Sequence, residues 1–228
     1  VVAHANHLEL DHPVALVGLP SMGLVGSILA GYIAKSKGMV YLAGMCGDDI
    51  PPYSVIQGGR PQMPIRAYGL RNVRGRDFII VTSEIAPKVE LCQSVSDTIC
   101  DLLQGFGCER AVILEGVANS EISVCCGNDE WFIAKLKKLG IPLLTEGLVR
   151  GFSGAFLNSG EYKGLNVTAV LCPARTDMPD ARASAAMVPV IEELTGGLGV
   201  DTDTLTREAE AIENRCLENN KKPDVNIY

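Results

Sequence analysis

Four carboxylates occupy positions where α/β proteins commonly do chemistry. Glu84, Glu115 and Glu146 each fall at the carboxyl end of a predicted strand, and Asp177 follows a fourth. In an open α/β sheet those ends face one crevice, where ligands usually bind. Several carboxylates there can hold a cation, a ribose or an amine, or act as general acids and bases. Arg150 and Arg175 stand close enough in sequence to balance them. The same acids also have a plainer use, because acids after strands cap helices and offset helix dipoles.

Other chemistries lack parts. Gly151-Phe152-Ser153-Gly154-Ala155 approaches the G-x-S-x-G elbow of hydrolases, but Ala155 takes the final glycine position. All three histidines, His4, His7 and His12, lie in the first twelve residues, so a Ser-His-Asp triad would have to borrow one from an N-terminal arm. His4-x-x-His7 on such an arm makes at best a weak metal ligand pair. The eight cysteines include no C-x-x-C pair and no zinc-finger spacing, and they read as buried free thiols of a reducing compartment. The sequence therefore predicts no metal and no cofactor.

Residues 14–34, VALVGLPSMGLVGSILAGYIA, carry no charge over about the width of a membrane. Pro20 and four glycines spoil a transmembrane span. The segment reads instead as a buried strand, a glycine turn and a buried helix that Ser21 can cap. Gly18 and Gly23 have Walker A spacing, but Leu24 and Val25 stand where Lys and Ser/Thr are needed. The dinucleotide pattern fails as well, since Pro20 replaces its second glycine. Gly18, Pro20, Gly23 and Gly26 therefore form a structural loop for close helix–sheet packing. The helix over 22–34 is apolar on all faces, which predicts burial on more sides than one domain covers, and hence a homo-oligomer.

Further strands are predicted at 39–45, 77–83, 110–116, 141–146 and 166–172, and helices at 88–106, 129–139, 180–194 and 203–219. Between 50 and 70 the prolines exclude a helix and suit a hairpin. This alternation predicts a mostly parallel, in part mixed, sheet with helices on both faces. A chain of 228 residues fits one α/β domain, placed at 1–219, with a solvated tail at 220–228. Hydrophobic content of 47% with 5% aromatics suits an interior of Val, Ile, Leu and Ala. Net charge −7 and pI near 5.0 disfavour nucleic acid and anionic membranes as partners. The polar first twelve residues read as no signal peptide, so a cytoplasmic location is expected.

Several motifs in order resemble one family. VGLPSMGLVG, IPPYSVIQGGRPQMPIRAYG, IIVTSE and PDARASAAMVPVIEELTGGLGVDTDTLTREAEAIE are similar to the corresponding blocks of the proteasome assembly chaperone 2 (PAC2) family, from about Val14 to Glu213. The single-domain, chiefly archaeal form is nearest in length. The resemblance implies a three-layer α/β/α sandwich related to phosphorylase/hydrolase-like folds, self-assembly into homo-oligomers, and a non-enzymatic role in assembling or binding the proteasome α-subunit ring. Some members carry an ATP-grasp label, for which this chain is short and lacks a phosphate loop. Ring-binding relatives end in a hydrophobic residue, a tyrosine and one last residue. Here Ile227 and Tyr228 are the matching pair, with the tyrosine terminal rather than penultimate. The alternative is a small-molecule enzyme or binder of phosphorylase or nucleosidase type, working at the carboxyl-edge crevice.

Overall fold

The computed structural model describes residues 2–47, 50–118, 120–207 and 211. The chain opens with the short strand β1 (Val2–His4), then β2 (Val14–Gly18), whose five uncharged residues are all buried. A strand covered on both faces has no use for alternating polar residues. A 3-10 turn at Met22–Leu24 leads into α1 (Val25–Ser36), followed by β3 (Val40–Met45). Strands β4 (Val55–Gln57) and β5 (Arg60–Gln62) form a separate hairpin turned by Gly58 and Gly59, both at positive φ. Strands β6 (Ile65–Val73) and β7 (Arg76–Ser83) are joined at Arg74-Gly75, both left-handed, the twist a two-residue hairpin requires.

The second half begins with a 3-10 turn at Val89–Leu91 and α2 (Cys92–Gly105). It continues through β8 (Arg110–Val117), β9 (Val124–Gly127), α3 (Glu130–Lys138), α4 (Gly151–Lys163), β10 (Asn166–Pro173), α5 (Ala181–Ala186) and α6 (Val188–Thr195). Asp129 caps α3 by accepting from the Trp131 and Phe132 amides, and both its oxygens accept from Arg110 at 2.7 and 2.9 Å. The strand expected at 141–146 is reduced to one parallel bridge between Cys125 and Leu143, because Pro142 has no N–H to give a ladder. The helix expected at 180–194 is split at Met187, where Pro189 cannot continue the preceding turn. Residues 202–207 are helical. The remainder of the helix expected to 219, apart from residue 211, and the tail at 220–228 with Ile227 and Tyr228 lie outside the described residues.

Among the described residues the main sheet has eight strands in the order β1-β3-β6-β7-β2-β8-β10-β9. The central four, β7-β2-β8-β10, are parallel, and the pairings at both margins are antiparallel. Parallel pairing is thus confined to the strands joined by helical crossovers. One face packs Leu16, Phe78 and Ile80 against Leu29, Ile33, Phe132 and Ile191 from α1, α3 and α6. The other packs Val17, Ile79 and Ile113 against Ile99, Leu103 and Phe156 from α2 and α4. The alternation Leu16/Val17 sends neighbours to opposite layers, so the molecule is an α/β/α sandwich with a mixed sheet. Helix α1 lies on β2, β7 and β8 and is covered from outside by α5. Val25, Leu29, Ala30, Ile33 and Ala34 are therefore buried within the chain itself.

Candidate functional site

Strands β7 and β8 flank β2 on opposite sides, so the chain departs from β2 in both directions along the sheet. The carboxyl ends of β2, β7 and β8 border a crevice at this switch in strand order. Glu115, on β8, points to the α2–α4 face, in step with Ala111 and Ile113. It lines a cavity of about 190 Å³ with Leu19, Pro20, Cys92, Phe152 and Ser153. Ser153, 3% exposed in the first turn of α4, sets its hydroxyl beside the carboxylate. Burial pushes the Glu115 carboxyl above its ordinary range, and the Ser153 hydroxyl offsets only part of that.

The other three acids lie elsewhere. Glu84 follows β7 but serves the opposite face, where Arg66 Nη2 donates to its Oε1. Arg66 is a buried cation, 4% exposed, that also donates to Tyr68 Oη at 2.9 Å and to the Met63 carbonyl at 3.2 Å. Glu84, Arg66, Tyr68, Tyr32, Ile28 and Ile56 border a second cavity of about 490 Å³ between α1 and the β4–β5 hairpin. Glu146 is exposed in the loop before α4. Asp177 is exposed and accepts from Arg175 at 3.1 and 3.3 Å, which holds its carboxyl below the usual range. The four acids therefore do not converge. Glu115 alone among them lines the carboxyl-edge cavity.

The glycine loop is packed shut. A Cβ on Gly18 would stand 2.1 Å from the Gly26 carbonyl oxygen, and one on Gly26 would stand 2.3 Å from the Leu114 oxygen. Helix α1 thus crosses β2 and β8 in direct backbone contact. Gly23 has φ +60, and a Cβ there would meet Asp180 Cβ at 2.9 Å. Pro20 borders the Glu115 cavity. Ser21 does not cap the following helix; its Oγ accepts from the Gly116 amide at 3.2 Å and ties the loop to the end of β8. Leu24, not a glycine, then adopts φ +54.

Ser153 has no histidine beside it. His12 lies 3.0 Å from Glu109 at the amino edge of the sheet, and His4 packs against Phe106. Burial pushes the thiols of Cys100, Cys108 and Cys172 up to about 12. Among the described residues no group of three or more His, Cys, Asp or Glu side chains is placed to hold a metal ion, and no helix is long and apolar enough to cross a membrane.

Two features escaped sequence reasoning. Arg66 interrupts the run IRAYGL, which is the signal that a charge sits inside a strand. The Glu115–Ser153 pair was legible only by counting residues alternately along β8, which places Glu115 on the side of Ile113. A third observation concerns the rim. Of eleven exposed large apolar residues among those described, Met22, Leu24, Val89, Ile122 and Leu148 all sit on loops at the carboxyl edge. Tyr53 and Ile56 extend from the same edge on the β3–β6 excursion.

Mixed-sheet sandwich, closed glycine loop and apolar carboxyl rim together define an α/β/α protein whose exposed apolar side chains are concentrated at the edge where its loops gather. The sequence model of the PAC2 family matches residues 15–219, and the chain belongs to that family. It is 29% identical over 213 residues to an uncharacterized protein of Methanocaldococcus jannaschii, covering 92% of this chain and 87% of that one. Its structure is similar to that of Pyrococcus furiosus PbaA, described as an archaeal homolog of proteasome-assembly chaperone. There the TM-score is 0.81 at 29% identity, over 96% of this chain and 92% of that one. Pyrococcus furiosus PbaB, an archaeal proteasome activator, shares the fold at 18% identity, with TM-score 0.80 over 97% and 98% of the two chains.

Proposed function

We propose that the chain is a non-enzymatic chaperone or scaffold that works as a homo-oligomer in the cytoplasm and assembles or binds the proteasome α-ring. The observation that carries this reading is whole-length likeness to PbaA within the PAC2 family. Self-association rests on the carboxyl rim, because five exposed apolar side chains on one set of loops favour a protein partner. Helix α1, which the sequence offers as the reason to oligomerise, is covered by its own chain and adds nothing to that argument.

Residues 1–219 are taken as one folded unit and 220–228 as the docking tail, with Ile227 and Tyr228 as an apolar and an aromatic anchor. Several tails on one oligomer would add weak contacts into avidity. The test mixes the purified full chain with purified α-subunits from the same organism and measures mass in solution. A joint complex that is lost in the Ile227→Ala/Tyr228→Ala double variant supports both halves of the reading. Joint binding that survives the double variant moves docking to the folded surface.

A further inference from the structure

The cavity between α1 and the β4–β5 hairpin holds a charge that folding alone does not explain. Arg66 sits in β6 with its side chain 4% exposed. A buried ion pair can often be replaced by apolar side chains with no loss of stability. A guanidinium offers five N–H donors. Three have acceptors here: Tyr68 Oη at 2.9 Å, the Met63 carbonyl at 3.2 Å and the Glu84 carboxylate. One N–H on each terminal nitrogen is left, in a side chain that borders about 490 Å³ of space. That volume lies within the roughly 300–1,000 Å³ range of small-ligand sites.

Gly31 supplies an independent observation. It lies in the middle of α1, where glycine costs about 1 kcal/mol relative to alanine. A Cβ on Gly18 or Gly26 would collide with backbone, but one on Gly31 would meet only Thr82 Oγ1, at 3.9 Å. Neither close packing nor a left-handed backbone requires glycine at this position. The space left by its missing side chain is part of the cavity, which Gly31 borders.

The lining sets the chemistry of the occupant. Its charged members among the described residues are two cations, Lys35 and Arg66, and one carboxylate, Glu84, which a single negative charge brings to neutrality. Tyr68 places a hydroxyl beside the guanidinium, 3.3 Å from Gln57 Oε1 on the hairpin. Ile28, Met39, Val55, Ile56 and Leu205 make much of the remaining wall apolar. We propose that this cavity binds a free aliphatic monocarboxylate of medium chain length, with its carboxylate on Arg66 and its chain between α1 and the hairpin. A small inorganic anion would leave the apolar walls unfilled. A neutral apolar molecule would leave the remaining Arg66 donors without an acceptor. The inference stands apart from α-ring binding, and either can fail alone.

The test uses the full chain and two probes of equal chain length, octanoate and octanamide, with affinities from ligand-observed NMR titration. Loss of the charge-assisted bonds to Arg66 predicts about tenfold weaker binding of the neutral amide. Arg66→Met should abolish that preference, with its melting curve recorded to show that it folds. Gly31→Leu is the second variant, because it fills the cavity from the helix side and replaces glycine with a better helix former. It should keep or raise the melting temperature and weaken octanoate binding about tenfold or more. Equal affinity for the two probes, or no binding of octanoate to the wild type, overturns the proposal. So does a folded Arg66→Met variant that keeps the preference, or a folded Gly31→Leu variant that binds octanoate as the wild type does.

Discussion

Glu115 is costly to the fold and therefore informative. Its carboxyl is raised by burial, so the ionised form is disfavoured in the native state relative to the unfolded chain. By linkage, the stability it contributes is fully present below its unfolded pKa and is lost as pH rises through the folded value. Glu115→Gln should therefore raise the melting temperature at pH 7, and the gain should vanish once the pH falls below the usual carboxylate range. A melting series across pH checks this. The thiols behave in a related way. Cys100, Cys108 and Cys172, buried and held up to about 12, should resist iodoacetamide in the native protein at pH 8 and react once the chain is unfolded. Mass mapping of labelled peptides reads both states. Arg66 has the opposite problem, a buried cation that needs its acceptors. Glu84→Gln keeps an acceptor oxygen but removes the charge that opposes the guanidinium, and with Glu84 itself half exposed the expected loss is about 1 kcal/mol by chemical denaturation.

At the scale of elements, the contact between α1 and the sheet sets the crevice. Gly18 and Gly26 meet backbone to backbone, so Gly18→Val should cost about 1–3 kcal/mol by overpacking, measured as a shift in denaturation midpoint. Strands β2, β7, β8 and β10 were legible because their uncharged runs of β-branched and aliphatic residues suit burial on both faces. Helix α4 was not, since Gly151, Ser153, Gly154, Ser159 and Gly160 leave too few apolar residues to mark a period. Its burial comes from Phe156 and from Gly160, which lies against Val167 and would place a Cβ 2.3 Å from Cγ2. Strand β9, VCCG, is too short to announce itself and exists because β10 offers it an edge. Of the acids, only the position of Glu115 followed from strand parity. The side chain of Glu84 was claimed by Arg66, 18 residues earlier in the chain but close to it across the β6–β7 pairing.

At the scale of the whole molecule, the apolar rim and the family decide the reading. A net charge of −7 keeps the surface from sticking indiscriminately, while Met22, Leu24, Val89, Ile122 and Leu148 give one edge a reason to associate. Light scattering of the full chain at micromolar concentration should therefore give a mass that is a multiple of 24.3 kDa. Met22→Glu/Val89→Glu, on exposed loops outside both cores, should shift that mass towards the monomer without lowering the melting temperature by more than a few degrees. The proposed role turns on binding of the proteasome α-ring. The most direct measurement is native mass spectrometry of the purified full chain mixed with purified α-subunits of the same organism. A species that contains both, in a fixed ratio, is the expected result for α-ring binding. Separate masses for the two proteins, with no joint species at micromolar concentration, would contradict it.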